Sequence, residues 1–455
     1  MGVTNDLVDL ATTLRREDLP DAVVNKIQLH LLDQLGAELA GSTLPWNKIV
    51  RDYAIDQARP GPATVVGAGH QTGTEWAAFA NATAGHGFEM DDYHTSALSH
   101  PGCVAVPTVL AMAEQTGAAG DEVLVALVLG FETIVRIGLA VQPSMIYDRG
   151  FHETCTEGVF GAALAAGRLR GLSSSRLVHA LGIAGSHASG TTEYSQSGGE
   201  VKRLHAGLGA MGGIRGVELA ARGFTGPSAI LEGSRGFFRA FADTIDACKL
   251  TDGLGTEWEL LDCAIKPYCS CGLTHAPIDA LVALVREEGL SPDDLEEVVV
   301  GCDRLSLVHV GKIGPHPTDM TGAQFSMEFS LAMAVVMEGN DFSDYSAAER
   351  AGYRLPDVTT LAERIRLELD NEADGAFPEH FYARVRVRHR DGRWLERTAY
   401  ATGSPDAPMD GEAVRSKFRR TAEVVVGGER ADAVERAVAR LAEGAPGADV
   451  LAPLR

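Results

Sequence analysis

From residue 5 to about residue 262 the apolar positions recur at helical spacing. Within Asp21–Ala40, Val23, Val24, Ile27, Leu31, Leu35 and Leu39 fall close to a 3.6-residue period. Pro20 stands where a first helical turn tolerates proline, and Gly41 marks a stop. The same texture predicts helices over Trp76–Gly87, Val104–Thr116, Asp121–Leu139, Glu157–Arg170 and Ser173–Ser186. Small residues are dense in this part of the chain, as in GVFGAALAAG, LGIAGSHASG and GLGAMGGIRG. Ala and Gly at such spacing let helices approach closely, so a compact bundle of mostly buried helices is expected. After Lys266 the pattern changes. Glu296–Cys302 and Tyr382–His389 alternate or run β-branched, as strands do, and Asp391-Gly392 reads as a hairpin turn into Arg393–Tyr400. Helices Pro277–Glu288 and Gly322–Glu338 lie near or between them. Beyond Pro405–Asp410 the pattern is helical again, over Glu412–Ala422 and Arg430–Ala442. The expected fold is mainly α: a large all-helical domain over residues 1–265, completed by 405–455, with a smaller α+β domain inserted over 266–404.

Length agrees with two domains, since 455 residues exceed one ordinary core. Hydrophobic residues at 45% and charged residues at 22% are globular values. The formal net charge of −22 argues against a nucleic-acid or anionic-membrane partner over the whole surface. A small anion then needs a locally basic pocket, which makes clustered cations informative. The seven cysteines, Cys103, Cys155, Cys248, Cys263, Cys269, Cys271 and Cys302, are odd in number and scattered, as in a reducing compartment. The N-terminal MGVTNDLVDLATTLRREDLP lacks the layout of a signal peptide. The longest apolar stretch, around Val123–Phe131, is too short to span a bilayer and contains Gly130. A soluble, cytoplasmic protein is expected.

Four segments carry candidate chemistry. KPYCSCGLTH (residues 266–275) offers a metal site, a redox pair or an anion pocket. HGFEMDDYHTSALSHPG (residues 86–102) is a dense polar loop after an apolar helix, either solvated with a capping Asp91 or Asp92, or functional. His152 stands just before a helix, where it serves as a cap partner or an acid–base group. Lys202, Arg203 and His205 stand together in EVKRLH, as an anion site or a surface charge cluster. GLGAMG (residues 207–212) fits GxGxxG, but no strand precedes it, so close helix packing accounts for it better than a dinucleotide.

Taken together, these segments resemble the MmgE/PrpD family of 2-methylcitrate dehydratases, cis-aconitate decarboxylases and iminodisuccinate epimerases. The resemblance runs through LPDAVVNKIQLHLLDQLGAELAG, EMDDYHTSALSHPG, GDEVLVALVLGFETIVRIG, GFHETCTEGVFGAALAAGRLRGL, VKRLHAGLGAMGGIRGVELAARGFTGP, ILEGSRGF, KPYCSCGLTHAPIDA and AQFSMEFSLAMAV, in that order. It implies that the α+β domain is a lid, that the chain forms a homodimer, and that catalysis needs neither metal nor nucleotide. By position it implies Asp91, Asp92, His100, His152, Lys202 and Lys266 as active-site residues, with His275 more weakly. Five positions depart from the family pattern: Glu89 for Asp, Tyr93 for Thr, Cys269 for Pro, Cys271 for His and Phe329 for Tyr.

The resemblance and Lys266 favour the anion-pocket reading of KPYCSCGLTH. CxC with one histidine lacks the fourth ligand and the CxxC spacing usual for zinc, and CxxC is also the usual dithiol motif. The cysteines then act as polarisable packing residues. Abstraction of a proton next to a carboxylate makes enolate-like charge, which cations around the substrate stabilise. Lys202, Lys266 and His100 are assigned to substrate carboxylates, with Arg203 and His275 beside them. His152 is the leading acid–base group, and Asp91 or Asp92 orients or shares its proton. The expected activity is that of a cofactor-free lyase on a small di- or tricarboxylate, 2-methylcitrate dehydratase-like first. Epimerisation, isomerisation or decarboxylation, or a catalytically silent ligand-binding dimer, are the alternatives.

Overall fold

The computed structural model describes residues 2–455, Gln196 along its backbone only. The fold is mainly α, with 60% of the chain helical. The residues group into two units. One holds 1–87, 91–263 and 410–455, and the other holds 88–90 and 264–409. Phe88–Met90, assigned to the helical domain from sequence, thus belong with the second unit. Gln324 shows why: its Nε2 donates to the carbonyls of Phe88 and Cys269 at 2.8 and 3.0 Å.

In the first unit the Val201–Ala221 helix packs against Thr74–Gly85, Gly158–Leu169 and Ser174–Ala184. Its glycines are what permit this. A Cβ on Gly207 would stand 2.3 Å from Thr83 Oγ1, and one on Gly213 would stand 2.4 Å from Ala162 Cβ. GLGAMGG is therefore a helix-packing surface within one continuous helix. The Asp21–Ser42 helix packs against Thr74–Gly85 and against the returning Gly411–Val426 helix. The unit is not all-helical: Ala63–Val65 and His70–Thr72 form a two-stranded antiparallel hairpin. Strands of three residues leave too little alternation to read in sequence.

The Gly120–Val141 helix corrects the reading of its apolar stretch. By length and composition it could cross a membrane, yet 94% of its apolar window is buried inside the protein. It also buries an ion pair, with Arg136 Nε 2.8 Å from Glu132 Oε2. Arg136 donates further to the carbonyls of Asp252 and Glu257, and Glu132 accepts the Leu260 N–H. A buried pair is tolerated when its remaining hydrogen-bonding groups are met in this way.

In the second unit a four-stranded sheet runs in the order Ile365–Leu369, Leu295–Cys302, Tyr382–His389, Trp394–Tyr400. The first pair is parallel and the others antiparallel. Alternation in YARVRVRH sends Ala383, Val385 and Val387 inward, and the His275–Glu288 helix packs on this strand and the next. Arg384, Arg386 and Arg388 take the other face and pair with Asp370, Glu368 and Glu297. The helix expected over Gly322–Glu338 is two, Met320–Phe325 and Met327–Val336, because Ser326 caps the second through Phe329 N–H.

Replacing Arg136 by Met should cost about 3–5 kcal/mol of stability, because it strands the Glu132 carboxylate in the core. Urea unfolding measures this, and a loss under about 1 kcal/mol would show that Glu132 is not charged there.

Candidate functional site

The first unit gathers a set of proton-bearing side chains from four parts of the chain. His86 follows the Thr74–Gly85 helix, and Asp91, Asp92 and His100 lie on the loop before the Gly102–Thr116 helix. His152 directly precedes the short Glu153–Thr156 helix. Lys202 and His205 occupy the first two turns of the Val201–Ala221 helix. The imidazole centroids of His86 lie 5.0 Å from His100 and 5.7 Å from His152, and His152 lies 4.9 Å from His205. The structure thus brings Asp91, Asp92, His100, His152 and Lys202 together. It adds His30, which the sequence did not single out, and it gives places in the cluster to His86 and His205, which stood in candidate segments without a role of their own.

Hydrogen bonds assign the protons. His86 Nδ1 is 2.6 Å from Asp91 Oδ2, so it carries the proton and donates to the carboxylate. Its Nε2 is then a buried lone pair without a hydrogen-bond partner. His100 Nδ1 is 2.8 Å from the Asp92 carbonyl and donates to it, which leaves the His100 Nε2 lone pair as a base. His100 is also the more open of these groups, at 14% side-chain exposure against 1% for His152. Asp92 supports the loop: Oδ1 accepts the Gly102 N–H at 2.8 Å and Oδ2 meets His30 Nδ1 at 2.7 Å.

Burial, reinforced by Lys202, keeps His86, His152 and His205 neutral. Burial pushes His86 down to about 4, opposed by Asp91 and reinforced by Lys202. His152 is driven well below the usual range by burial first, then by His86, His205 and Lys202. His205 falls to about 4 through burial, His86 and Lys202. Cys103 is pushed well above its ordinary value by burial and by Asp91 and Asp92, so it stays a thiol.

Two groups of donor atoms lie within 4.8 Å of one another among the described residues, His86–Asp91–Cys103 and His94–Glu259–Asp262. In the first, the histidine nitrogen facing Asp91 carries a proton and the sulfur is a thiol. In the second, His94 Nδ1 accepts the Ala97 N–H, which places the ring proton on Nε2. Neither set is poised as metal ligands. KPYCSCGLTH contributes to neither group. Its cysteine N–H groups donate to Asn340 and Gln324 carbonyls.

The remaining assigned residues are held by the fold. Arg203 Nε donates to the Gly87 carbonyl at 2.9 Å, and its guanidinium lies 4.4 Å from the Trp46 ring centroid. In the second unit, Lys266 Nζ is 3.5 Å from Glu89 Oε2, and Glu89 adopts φ 54°. His275 is fully buried, with Nε2 3.2 Å from the Ser270 carbonyl and its ring edge-on to Tyr268.

A family model described as the MmgE/PrpD N-terminal domain matches residues 5–247. A second, the MmgE/PrpD C-terminal domain, matches residues 268–443. A cis-aconitate decarboxylase of Aspergillus terreus is 29% identical over 458 residues, covering 97% of this chain and 93% of that protein. The cis-aconitate decarboxylase-like protein oryM of Aspergillus oryzae is 29% identical over 474 residues, covering 99% of this chain and 97% of that protein. The cis-aconitate decarboxylase of Homo sapiens is 26% identical over 455 residues, covering 97% of this chain and 92% of that protein.

His94 gives a clean test of burial, since desolvation alone lowers it to about 4. Its folded value lies below the unfolded 6.5, so the stability it supports is complete above pH 6.5 and is lost as pH falls toward about 4. Between about pH 7 and pH 5 the His94→Asn variant should lose about 2 kcal/mol less than the wild type, read from urea unfolding at both values. Equal losses would place the His94 proton elsewhere.

Proposed function

The chain belongs to the MmgE/PrpD family, and from that premise we propose that it is a lyase acting on a small tricarboxylate by proton transfer at the buried histidine cluster. The observation that carries this reading is the packing of His86, His100, His152 and His205 beside Lys202 and Asp91. A polycarboxylate needs a cation for its charge, a lone pair to accept a proton and an N–H to return one. Lys202 supplies the first and His100 Nε2 the second, and His152 is the acid.

The substrate favoured is of the cis-aconitate type, on the names of the relatives. Decarboxylation would break the bond between the methylene carbon and its carboxylate. The released electron pair forms a terminal alkene while the original double bond shifts its electrons to the carbon beside another carboxylate. That carbon takes one proton, and the charge it carries before protonation is stabilised by Lys202. Dehydration of a 2-methylcitrate-like hydroxy acid, the outcome favoured from sequence, draws on the same groups. His100 then takes the proton next to a carboxylate, and the departing hydroxyl takes one from the acid. The smaller α+β unit is proposed as the lid of this enzyme, and the homodimer and cytoplasmic location remain part of the same reading.

Incubation with cis-aconitate, citrate and 2-methylcitrate, followed by proton NMR in deuterated water, separates the outcomes. Carbon dioxide with one deuteron in the product marks decarboxylation, and loss of water marks dehydration. Turnover of none of the three defeats the lyase reading. His152→Ala should depress turnover by about 10²–10⁴, while Lys202→Met should chiefly weaken binding of a tricarboxylate, roughly 10- to 150-fold. Circular dichroism serves as the folding control. Near-normal turnover of His152→Ala would move the acid to another histidine.

Activity should also survive exhaustive chelation without added zinc or iron. Stoichiometric metal in active protein, with activity lost on its removal, would overturn the metal-independent part of the proposal.

A further inference from the structure

The account above places His205 in the cluster but gives it no step of its own, yet its contact with His152 is specific. The two Nδ1 atoms are 2.9 Å apart. Two lone pairs cannot meet at that distance, so one nitrogen carries a proton and the other accepts it. The far side of His152 decides which. Its Nε2 lies 3.4 Å from Glu153 Oε1 and 3.5 Å from Thr154 Oγ1. An N–H facing a carboxylate is favourable and a lone pair facing one is not. Glu157, beside it, is raised well above the ordinary range by burial and then by Glu153. His152 therefore carries Nε2–H and accepts at Nδ1, and His205 donates from Nδ1 with its own Nε2 as a lone pair.

We propose that His205 is the proton-supplying partner of His152. When His152 Nε2 gives its proton to the substrate carbon, His152 Nδ1 takes the proton of His205 Nδ1, and His205 Nε2 takes one from solvent. Both rings end neutral with their tautomers exchanged, and one solvent proton has reached carbon. A neutral imidazole is a poor acid on its own, because giving up its proton leaves an anionic ring. The partner removes that obstacle. The inference rests on the lyase reading, in which one proton must be delivered to a carbanionic carbon. It makes His205 a positioning residue that acts through His152.

The setting suits such a shuttle. The ring of His205 lies under Gly190, where a Cβ would come within 3.1 Å of it and where φ is +104°. Beyond Gly190 the segment rises to exposed Thr191 and Glu193, and Tyr194 stands 6.2 Å from the His205 ring. The titratable groups that face the pair are His86, His100 and Lys202 on His152, His86 and Lys202 on His205, and Glu153 and Tyr194 at the edges.

The test uses the full chain with whichever tricarboxylate turns over. His205→Gln keeps an amide N–H donor to His152 but cannot pass a proton. It should lower kcat by about 10-fold or more while KM stays within about 3-fold. His205→Ala should lose a similar amount and regain activity with added imidazole. An unchanged kcat in His205→Gln, or a loss in His205→Ala that imidazole does not restore, would overturn the relay. Nitrogen-15 NMR of histidine-labelled protein gives a readout independent of activity. The wild type should show His152 protonated on Nε2 and His205 on Nδ1, and His205→Ala should release the His152 tautomer. A wild-type His152 protonated on Nδ1 overturns the proposal even if the enzyme is active. If no tricarboxylate turns over, the lyase reading falls, and the tautomer measurement still decides the His205–His152 assignment.

Discussion

The Asp92 carboxylate accepts a hydrogen bond from His30 and another from the N–H of Gly102, in surroundings where almost nothing reaches water. Burying a carboxylate costs several kcal/mol unless its oxygens are met. Here the first N–H of a 15-residue helix meets one of them, at the end of the helix where negative charge is favoured. Once the side chain is fixed, the backbone of residue 92 is fixed with it, and its carbonyl decides which nitrogen of His100 carries a proton. The neighbouring Asp91 is thereby aimed at His86. The grip also reaches outward. His30 lies on the Asp21–Ser42 helix, and one turn along that helix Asp33 is 2.7 Å from Lys417 on the returning Gly411–Val426 helix. The C-terminal segment is thus tied to the same buried charge network as the loop.

The network keeps its count of unpaired charges low. Glu38, Glu157 and Asp33 are all shifted upward by burial, Asp33 to about 6 against the pull of Lys417. The histidines shift the other way and stay neutral. A cluster of neutral imidazoles is less costly to bury than one of imidazolium ions, and it keeps lone pairs and N–H groups in defined places. Burial sets this state, and the charge of Lys202 reinforces it at three of the rings.

Much of the framework was legible because it depends on period. The Asp21 helix, the Tyr382–His389 strand and the Asp391-Gly392 turn all follow from spacing and from Gly392 at φ 91°. The polar loop, His152 and Lys202 were legible as density against an acidic, apolar background. His30 was not, because a single histidine in an apolar helical stretch reads as a core residue, and His86 and His205 were visible only as members of polar segments, without a role of their own. A signal did exist for His30. Together with Asp33, Gln34 and Glu38 it makes a file of buried polar groups on a helix that also buries Leu31, Leu35 and Leu39. Glu132 and Arg136 make a similar i,i+4 mark inside the most apolar helix. The inclusion of Phe88–Met90 in the second unit had no sequence signal, since it depends on the long-range bonds of Gln324.

Electrostatics joins the substrate to the proton. Lys202 depresses the neighbouring imidazoles, and a bound carboxylate acts in the opposite sense by neutralising the lysine and adding negative charge beside the rings. On the proposed reading, a bound tricarboxylate therefore raises the basicity of His86, His152 and His205 together. The coupling is reciprocal: the better these rings hold a proton, the tighter the anion binds. A protein of net charge −22 has little long-range attraction to offer such a substrate. Local charge must do that work, and on the proposed reading Lys202 supplies it. On the same reading the rings stay neutral, and the proton that the reaction consumes is passed between them rather than stored on one.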